Sequence, residues 1–476
     1  MSSFYNVSSP TMHYAIVPLL CSVLLAVDWP QFRGPNGAGV AADGPLPTEF
    51  SQQKNVVWKT AIPPGHSSPV LTPARIFLTA VENEALLTLC LDRASGKILW
   101  RRQAPRPRKE EFQHTNSPAS PSPVTDGQNV YVFFGDFGLI SYTADGTERW
   151  KLPLGPFNNE NGHGSSPVLA GELVILICDQ DTDSYLLAVD RATGKIRWKT
   201  PRPDSTRGYA TPALYQPKDG PAEVIVPGAF QVVSYSLSTG ERLWWIRGMA
   251  WQLKSVPLIQ DDVIYVSGWE TGGDSDQPRA ILTWQQALEK YDSNQDGRIS
   301  RAEGPFKNES SFADSDLDHD GFLNEREWNF YRARETSQNN IVAIRAGGKG
   351  DVTDTHVLWR FRKSIPNVPS PLLYRGVLFL IKEGGIFTSL DPKTGAVFKQ
   401  ARLSGALGQY WSSPVAGDGK IYVSNQEGKV TVLKAAPQWE ILAINDLDED
   451  IFSTPAIDQS RIYLRTRGTL YCFAGL

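Results

Sequence analysis

The sequence predicts an all-β protein, an eight-bladed β-propeller with a small α-helical insertion in the fifth blade. A motif in which a small or apolar residue precedes proline recurs eight times, with the prolines at Pro69, Pro123, Pro167, Pro212, Pro257, Pro371, Pro414 and Pro455. Eight aromatic residues keep the same period, namely Trp58, Trp100, Trp150, Trp198, Trp244, Trp359, Phe398 and Trp439. One interval between prolines spans 114 residues, against 41 to 54 for the others, which predicts an insertion there.

Each repeat is predicted to form four short strands. In the third repeat, apolar or alternating runs at 165–169, 173–178, 185–190 and 195–199 are separated by turn residues. Gly194 lies in the turn before the fourth strand and supplies the positive φ that a tight hairpin requires. Trp198 follows and is expected to pack between neighbouring sheets. Four-stranded units of about 45 residues that repeat radially form a propeller.

The two ends of the chain are expected to share the last blade. The final repeat, at 450–475, lacks a fourth strand, whereas 55–62 is a strand without a repeat. Their pairing would close the ring and remove a free sheet edge. The predicted divisions are a signal peptide (1–26), an N-terminal extension (27–54), propeller segments (55–269 and 338–476) and the insertion (270–337).

Two twelve-residue loops in the insertion carry the pattern of a calcium site. Each has side-chain oxygens at positions 1, 3 and 5, glycine at 6, a backbone carbonyl at 7 and glutamate at 12. The predicted ligands are Asp292, Asn294, Asp296, Arg298 and Glu303 in the first loop, and Asp316, Asp318, Asp320, Phe322 and Glu327 in the second. The loops resemble those of the EF-hand family, which implies two bound calcium ions. The second loop has one more carboxylate and is predicted to bind more tightly.

The propeller repeat also resembles a known family. The run Asp-x-x-Thr-Gly-x-x-x-Trp at 190–198, together with Ser-Ser-Pro-Val starts, is similar to the quinoprotein-type repeat. Quinoprotein alcohol dehydrogenases and the outer-membrane assembly factor BamB share that repeat. The resemblance covers about 55–475 apart from the insertion, and the opening at 29–37 resembles secreted members of the group. It implies the fold, but one fold hosts many activities.

The N-terminus predicts export to the periplasm, the cell envelope or the exterior. Residues 14–26 form an apolar run that suits a signal-peptide core but is too short to span a membrane. No other segment is predicted to cross a bilayer. A net charge of −4 argues against a nucleic-acid partner. The protein is expected to be a monomer, and Cys90, Cys178 and Cys472 are expected to be buried free thiols.

The alternating direction of successive strands, which we call strand parity, predicts where a binding site would lie. The connections between blades and the hairpins between second and third strands open on one face, so the insertion should stand over the propeller mouth. The predicted mouth residues are His66, His114, His163, Arg207, Tyr209, Trp251, Lys254 and Trp411. Converging polar and aromatic groups favour a binding site, and an excess of Lys and Arg in these loops favours an anionic ligand. The competing interpretation is that these residues only satisfy their own turns.

Two classes of function compete for this mouth. The favoured hypothesis is a non-catalytic, calcium-binding scaffold of the cell envelope that recognises a protein or an anionic ligand. The alternative is a quinone (PQQ)-dependent oxidoreductase, and some other enzyme is a third hypothesis. The resemblance implies two adjacent cysteines for a quinoprotein dehydrogenase, and no two cysteines are neighbours here. A PQQ cofactor is therefore not expected, and no catalytic residue is assigned.

Overall fold

The computed structural model describes residues 1, 29–42, 44–274, 280–306, 308–458 and 460–475. The predicted signal peptide, apart from Met1, lies outside the described residues. Eight separate sheets of four antiparallel strands follow one another along the chain, seven formed by the strands of one repeat and the eighth by three strands of the last repeat and one strand from the other end of the chain. The prediction of an all-β, eight-bladed propeller is confirmed.

The blades are numbered in chain order, and the strands of each are given from the channel outward. Blade 1 comprises Val70–Leu71, Arg75–Glu82, Ala85–Asp92 and Ile98–Gln103, and blade 2 comprises Val124–Thr125, Asn129–Phe134, Gly138–Thr143 and Glu148–Pro153. Blade 3 comprises Val168–Ala170, Leu173–Cys178, Tyr185–Asp190 and Ile196–Pro201, and blade 4 comprises Ala213–Tyr215, Glu223–Gly228, Gln231–Ser236 and Arg242–Arg247. Blade 5 comprises Leu258–Gln260, Val263–Gly268, Asn340–Arg345 and Val357–Phe361, and blade 6 comprises Leu372–Tyr374, Val377–Lys382, Ile386–Leu390 and Val397–Arg402. Blade 7 comprises Val415–Gly417, Lys420–Ser424, Lys429–Lys434 and Glu440–Asp446, and blade 8 comprises Ala456–Ile457, Arg461–Arg465, Thr469–Ala474 and Val56–Ala61. The short strand Gly350–Asp351 also pairs in parallel with the outer strand of blade 4.

The outer strand of blade 8 comes from the other end of the chain. Val56–Ala61 pairs antiparallel with Thr469–Ala474, and Trp58 lies opposite Cys472. Blade 8 therefore contains strands from both ends of the described chain. This pairing closes the ring between blades 8 and 1 and leaves the last blade with its full set of strands.

Tryptophans on five of the eight outer strands link a blade to the next one. The Trp150 indole donates to the Arg191 carbonyl at 3.0 Å, in the turn before the last strand of the following blade. The same contact recurs for Trp58, Trp100, Trp198 and Trp359. Gly194 lies against the ring, where a Cβ would come within 2.7 Å of the Trp150 indole. Glycine is thus required there both for its positive φ and for the close approach of the ring.

A second set of blade-to-blade contacts encircles the channel. The residues that precede the motif prolines form it, and we call them the hydroxyl ring: Ser68, Ser122, Ser166, Thr211, Ser370, Ser413 and Thr454, with Val256 at the eighth position. The backbone N–H of each position donates to the hydroxyl of the next at 2.9–3.1 Å. Only the step from Thr211 to Val256 lacks this bond, because valine has no hydroxyl.

Replacing Val256 with threonine is expected to complete the ring. Threonine has nearly the same shape as valine, and its hydroxyl would face the backbone N–H of Thr211. A net intramolecular hydrogen bond contributes about 1 kcal/mol, so the free energy of unfolding should rise by about that amount. Chemical denaturation of wild type and variant measures it, with Val256→Ala as the cavity-forming control. A variant less stable than wild type would contradict the prediction.

The N-terminal extension closes the channel at the end opposite the mouth. Leu71 in blade 1 and Thr125 in blade 2 donate backbone hydrogen bonds to the carbonyls of Trp29 and Pro30. Asn36 exchanges two hydrogen bonds with the backbone of Leu214 in blade 4, each 2.8 Å long. The extension also bonds blades 6 and 7, through the Arg33 side chain on the Pro371 carbonyl and through backbone bonds to Ala416. It therefore ties non-adjacent blades together.

The insertion lies between the second and third strands of blade 5, whose strands Val263–Gly268 and Asn340–Arg345 pair directly. Its helices are α1 (Trp284–Tyr291), α2 (Glu309–Ala313) and α3 (Glu325–Thr336), and a fourth short helix, Thr353–His356, lies between the third and fourth strands of blade 5. Thr283, Asn308 and Asn324 cap α1, α2 and α3 with reciprocal side-chain bonds. Ile299–Ser300 and Phe322–Leu323 form a two-stranded sheet between the loops. Among the described helices, none is both long and apolar enough to cross a membrane.

Candidate functional site

A cavity of about 490 Å³ opens at the propeller mouth. Its floor contains the seven hydroxyls of the hydroxyl ring, and Phe32 of the N-terminal extension lies among its lining residues. This volume falls in the range of small-molecule sites. Because the strands converge on the channel, the same sequence position of seven of the eight blades contributes to this one cavity.

A second layer of the wall comes from the residues two positions before the hydroxyl ring. All eight line the cavity, namely His66, Ser120, Gly164, Tyr209, Lys254, Val368, Trp411 and Phe452. His66 stacks on Phe452 with ring centroids 4.2 Å apart. The Trp411 indole is fixed by a 2.7 Å bond to Gln426. The wall therefore combines aromatic, small and polar groups around a common axis.

The insertion supplies the remaining part of the wall. Ser310, Asp314 and Arg334 line the cavity, next to the segment 269–271 where the chain leaves blade 5. Arg334 lies between two carboxylates, with Glu270 at 3.3 Å and Asp314 at 3.0 Å. The cavity is thus shared between propeller and insertion, as strand parity predicts.

Apolar contacts fix the insertion to the propeller. Trp251, on the loop before the fifth motif, packs edge-to-face on Phe330 of α3 with centroids 5.1 Å apart. Leu317, at the second position of the second Asp-rich loop, is fully buried in the same cluster. The Arg334 guanidinium lies 4.3 Å from the centre of the Trp251 ring. One tryptophan therefore contacts the helix and the arginine that shape the mouth.

Five of the predicted mouth residues line the cavity, and three do not. His66, Tyr209, Trp251, Lys254 and Trp411 are on its wall. His114 is exposed over a shallow neighbouring cleft. His163 is buried between Phe157 and Phe133 instead. Burial there, followed by the charge of Arg108, lowers the pKa of His163 to about 4. A neutral imidazole in an aromatic pocket is a packing residue.

Arg207 is the third predicted residue that lies off the wall. Its side chain is 1% exposed and contacts Asp181 at 2.5 Å and Glu160 at 2.7 Å. A longer contact of 3.3 Å reaches Asp314 of the insertion. Arg207 is therefore an internal link between blade 3 and the insertion. Its charge is compensated by three carboxylates and is not offered to a ligand.

Lys254 differs from Arg207 and Arg334 in the partners of its charged group. Its ammonium donates to the Asn367 side chain at 2.9 Å and to the Gln252 carbonyl at 3.4 Å. Among the described residues, no carboxylate lies within ion-pair distance of it. Burial lowers the pKa of Lys254 to about 8, and Glu270 acts in the opposite direction. The wall thus holds one cation without a direct counter-ion.

The two Asp-rich loops have the same internal geometry. In each, both oxygens of the first aspartate accept backbone N–H groups, from positions 5 and 6. Position 6 is Gly297 or Gly321, with φ of 76° and 86°. Asp316, Asp318 and Asp320 bring one oxygen each to within 4.8 Å of one another. Carboxylate oxygens in this arrangement match the preference of a hard cation such as calcium.

Position 12 differs between the loops. Glu327 is 1% exposed, and its oxygens accept from the N–H groups of Leu317, Asp318 and Asn324 at 2.8–3.2 Å. Glu303 accepts from Ser300 and Ser293 at a more exposed site. Glu327 therefore connects the second loop to Leu317, which packs on the propeller, whereas Glu303 makes only local contacts.

The hydroxyl ring is the part of the site that sequence reasoning missed. The Ser-Pro and Thr-Pro motifs defined the repeat, but their hydroxyls were not among the predicted site residues. The available signal was positional: the same small hydroxyl in seven of eight repeats, always one residue before proline. A radial repeat brings such a position to the axis. Ser120, Gly164, Val368 and Phe452 follow from the same register.

Comparisons with solved structures support the fold. BamB from Moraxella catarrhalis is 13% identical, with 88% of this chain and 99% of that chain covered and a TM-score of 0.56. A europium-containing methanol dehydrogenase is 11% identical, with 94% and 98% covered and a TM-score of 0.59. At these identities the likeness concerns the fold alone. No curated protein is similar enough in sequence to match the chain.

The sequence itself matches a family profile. The profile described as outer membrane protein assembly factor BamB matches residues 40–214 and 331–474. These two segments contain most of the propeller, and the gap between them, 215–330, contains most of the insertion together with parts of blades 4 and 5. Together they cover more than half of the chain, which therefore belongs to this BamB-type family of PQQ-like β-propellers.

Proposed function

We propose that the protein is a calcium-binding recognition scaffold of the cell envelope, and that its mouth binds an anionic ligand or an anionic segment of a partner protein. The observation that carries this proposal is the shared wall of the cavity. Arg334 and Asp314 of the insertion meet Trp251 and Lys254 of the propeller there. A change in the insertion therefore changes the shape of the mouth.

Calcium is the ion that suits the two Asp-rich loops. The ligands would be Asp292, Asn294, Asp296, Arg298 and Glu303 in the first loop and Asp316, Asp318, Asp320, Phe322 and Glu327 in the second, with Arg298 and Phe322 acting through their carbonyls. Bound calcium would supply positive charge among carboxylates that otherwise repel one another. Gly297 and Gly321 have the positive φ that the sharp turn at position 6 demands.

The second loop is the one that couples to the mouth. Asp314 precedes it by two residues and contacts both Arg207 and Arg334. Leu317 lies inside it, and the Leu317 carbonyl accepts from Asn158 of the propeller at 3.0 Å. Ordering of this loop would therefore fix contacts on two sides of the insertion. Such coupling regulates binding only if the ligand has different affinities for the two states.

Envelope location and a protein partner are proposed from two sources. The family is named for outer membrane protein assembly, which is a statement about BamB. The predicted signal-peptide core at 14–26 favours export of this chain. A propeller whose mouth is walled by aromatic side chains and backed by a closed channel suits recognition.

Calcium dependence of recognition tests the proposal. The immobilised full chain is exposed to envelope proteins and glycans in 1 mM calcium or in chelator, and the retained species are identified by mass spectrometry. We expect a retained partner in calcium that Trp411→Ala loses. Lys393→Met, at an exposed turn on the opposite face, is the matched control. Equal retention in calcium and chelator would refute calcium-dependent recognition.

An oxidoreductase remains the alternative because the cavity has aromatic walls. Cys90, Cys178 and Cys472 are buried, unpaired and located in three different blades, 1, 3 and 8. The alternative requires stoichiometric binding of added quinone cofactor, seen as an absorption band and a raised melting temperature, followed by alcohol oxidation. Observation of both would replace the scaffold proposal.

A further inference from the structure

The floor of the mouth cavity is rich in hydrogen-bond donors. Each hydroxyl of the ring accepts a backbone N–H from the preceding blade, for example Ser122 from Ser68 at 2.9 Å. A serine or threonine hydroxyl has one hydrogen to donate besides its acceptor sites. Among the described residues, none of the seven ring hydroxyls donates a hydrogen bond to the protein. Seven hydroxyl hydrogens therefore remain for whatever occupies the floor.

Other donors lie above this floor. Lys254, the lining cation without a carboxylate partner among the described residues, is two residues before Val256, the ring position that lacks a hydroxyl. The Trp269 indole N–H is buried beside the cavity and has no partner among the described residues. Donors with hydrogens left over favour an acceptor-rich guest.

The carboxylates of the cavity are already paired. Glu270 and Asp314 pair with Arg334, and Glu160 pairs with Arg207. These carboxylates belong to the rim and the insertion, whereas the hydroxyls form the floor. The cavity is therefore polarised, with donors and one uncompensated cation toward the axis and compensated acids near its opening.

We propose that the hydroxyl ring and Lys254 form a binding site for an oxyanion, the carboxylate, phosphate or sulfate head group of the ligand. This inference rests on the proposed function, because it names the ligand class of the same mouth. The head group faces the ring and accepts several O–H hydrogen bonds, while the Lys254 ammonium balances its charge. The body of the ligand then extends past Trp411 and Tyr209 toward the insertion.

Titration of the full chain with small anions tests the site. Tryptophan fluorescence and calorimetry follow the addition of acetate, phosphate or sulfate at constant ionic strength, with acetamide as the uncharged control. We expect saturable binding of at least one oxyanion, and the tightest identifies the head group. Acetamide binding as tightly as acetate, or no response to any oxyanion, would overturn the proposal, the latter leaving ordered water as the occupant.

Three variants separate the contributions of charge and hydroxyl. Lys254→Met is expected to weaken binding about tenfold or more, and Lys254→Arg to restore most of it, because the anion loses and then regains a charged donor. Val256→Thr adds an eighth hydroxyl at the ring and is expected to strengthen binding about threefold. Lys393→Met should bind as wild type. Unchanged affinity in both Lys254→Met and Val256→Thr contradicts the proposal, provided that their melting curves remain cooperative.

Repeating the titration in chelator distinguishes this inference from the proposed function. The ring belongs to the propeller alone, so oxyanion binding is expected to persist without calcium. Oxyanion binding without any calcium-dependent partner refutes the calcium-dependent scaffold and supports the anion site. A calcium-dependent partner without oxyanion binding refutes the anion site alone.

Discussion

Deletion of Val56–Ala61 is expected to abolish cooperative folding of the propeller. This strand pairs with Thr469–Ala474 and is the outer strand of blade 8. Without it, the strand Thr469–Ala474 exposes an unpaired edge to solvent. The tryptophan contact between blades 8 and 1 disappears with it, because Trp58 donates to the Arg93 carbonyl and lies over Gly96. Circular dichroism on heating and size-exclusion chromatography measure the outcome.

Point substitutions within the same strand supply the controls. Trp58 is 9% exposed and Val57 is 44% exposed, although the two residues are adjacent. Trp58→Ala should lower the free energy of unfolding by about 3–5 kcal/mol, as for other large-to-small core substitutions. Val57→Ser should change it by less than about 0.5 kcal/mol. A deletion variant that melts cooperatively near the wild-type temperature would show that the ring does not depend on this closure.

The fold was predictable because the repeats of a propeller carry similar local sequence signals. Proline after a hydroxyl residue, glycine in the last turn and an aromatic residue after it recur in most of the repeats, and the tryptophan contact to the next blade is the same in five of them. The position of the insertion followed from one anomalous spacing. The dual role of Gly194 was only half predictable, since its positive φ is a local property whereas the Trp150 ring above it comes from another blade.

The site was harder to predict because burial and charge pairing depend on neighbours in other blades. Arg207 and Lys254 have the same kind of position in the sequence, on loops before a motif. Arg207 meets Asp181 and Glu160 and becomes an internal ion pair, whereas Lys254 meets Asn367. No spacing in one sequence distinguishes these outcomes. The expected positive field of the mouth is correspondingly reduced, because Arg106 and Arg202 also pair with aspartates.

Glu327→Gln is expected to weaken calcium binding at the second loop by about 100-fold, since it removes a bidentate, charged ligand. Wild-type dissociation constants should lie at about 10⁻⁴–10⁻³ M if the loops behave as extracellular modules do, with the second loop tighter. Calorimetry on the full chain measures both sites. Glu303→Gln is the matched substitution in the first loop, and Ser300→Ala, which removes no carboxylate, should have a much smaller effect.

The two glutamate variants should also differ in what they do to the mouth. Glu327 holds the N–H of Leu317, which packs with Trp251 and Phe330, whereas Glu303 contacts only its own loop. Calcium should therefore change Trp251 fluorescence in wild type and in Glu303→Gln, and Glu327→Gln should lose that change at the same calcium concentration. A Trp251→Phe background identifies the signal. An identical fluorescence response in both glutamate variants would show that calcium in the second loop does not reach the mouth.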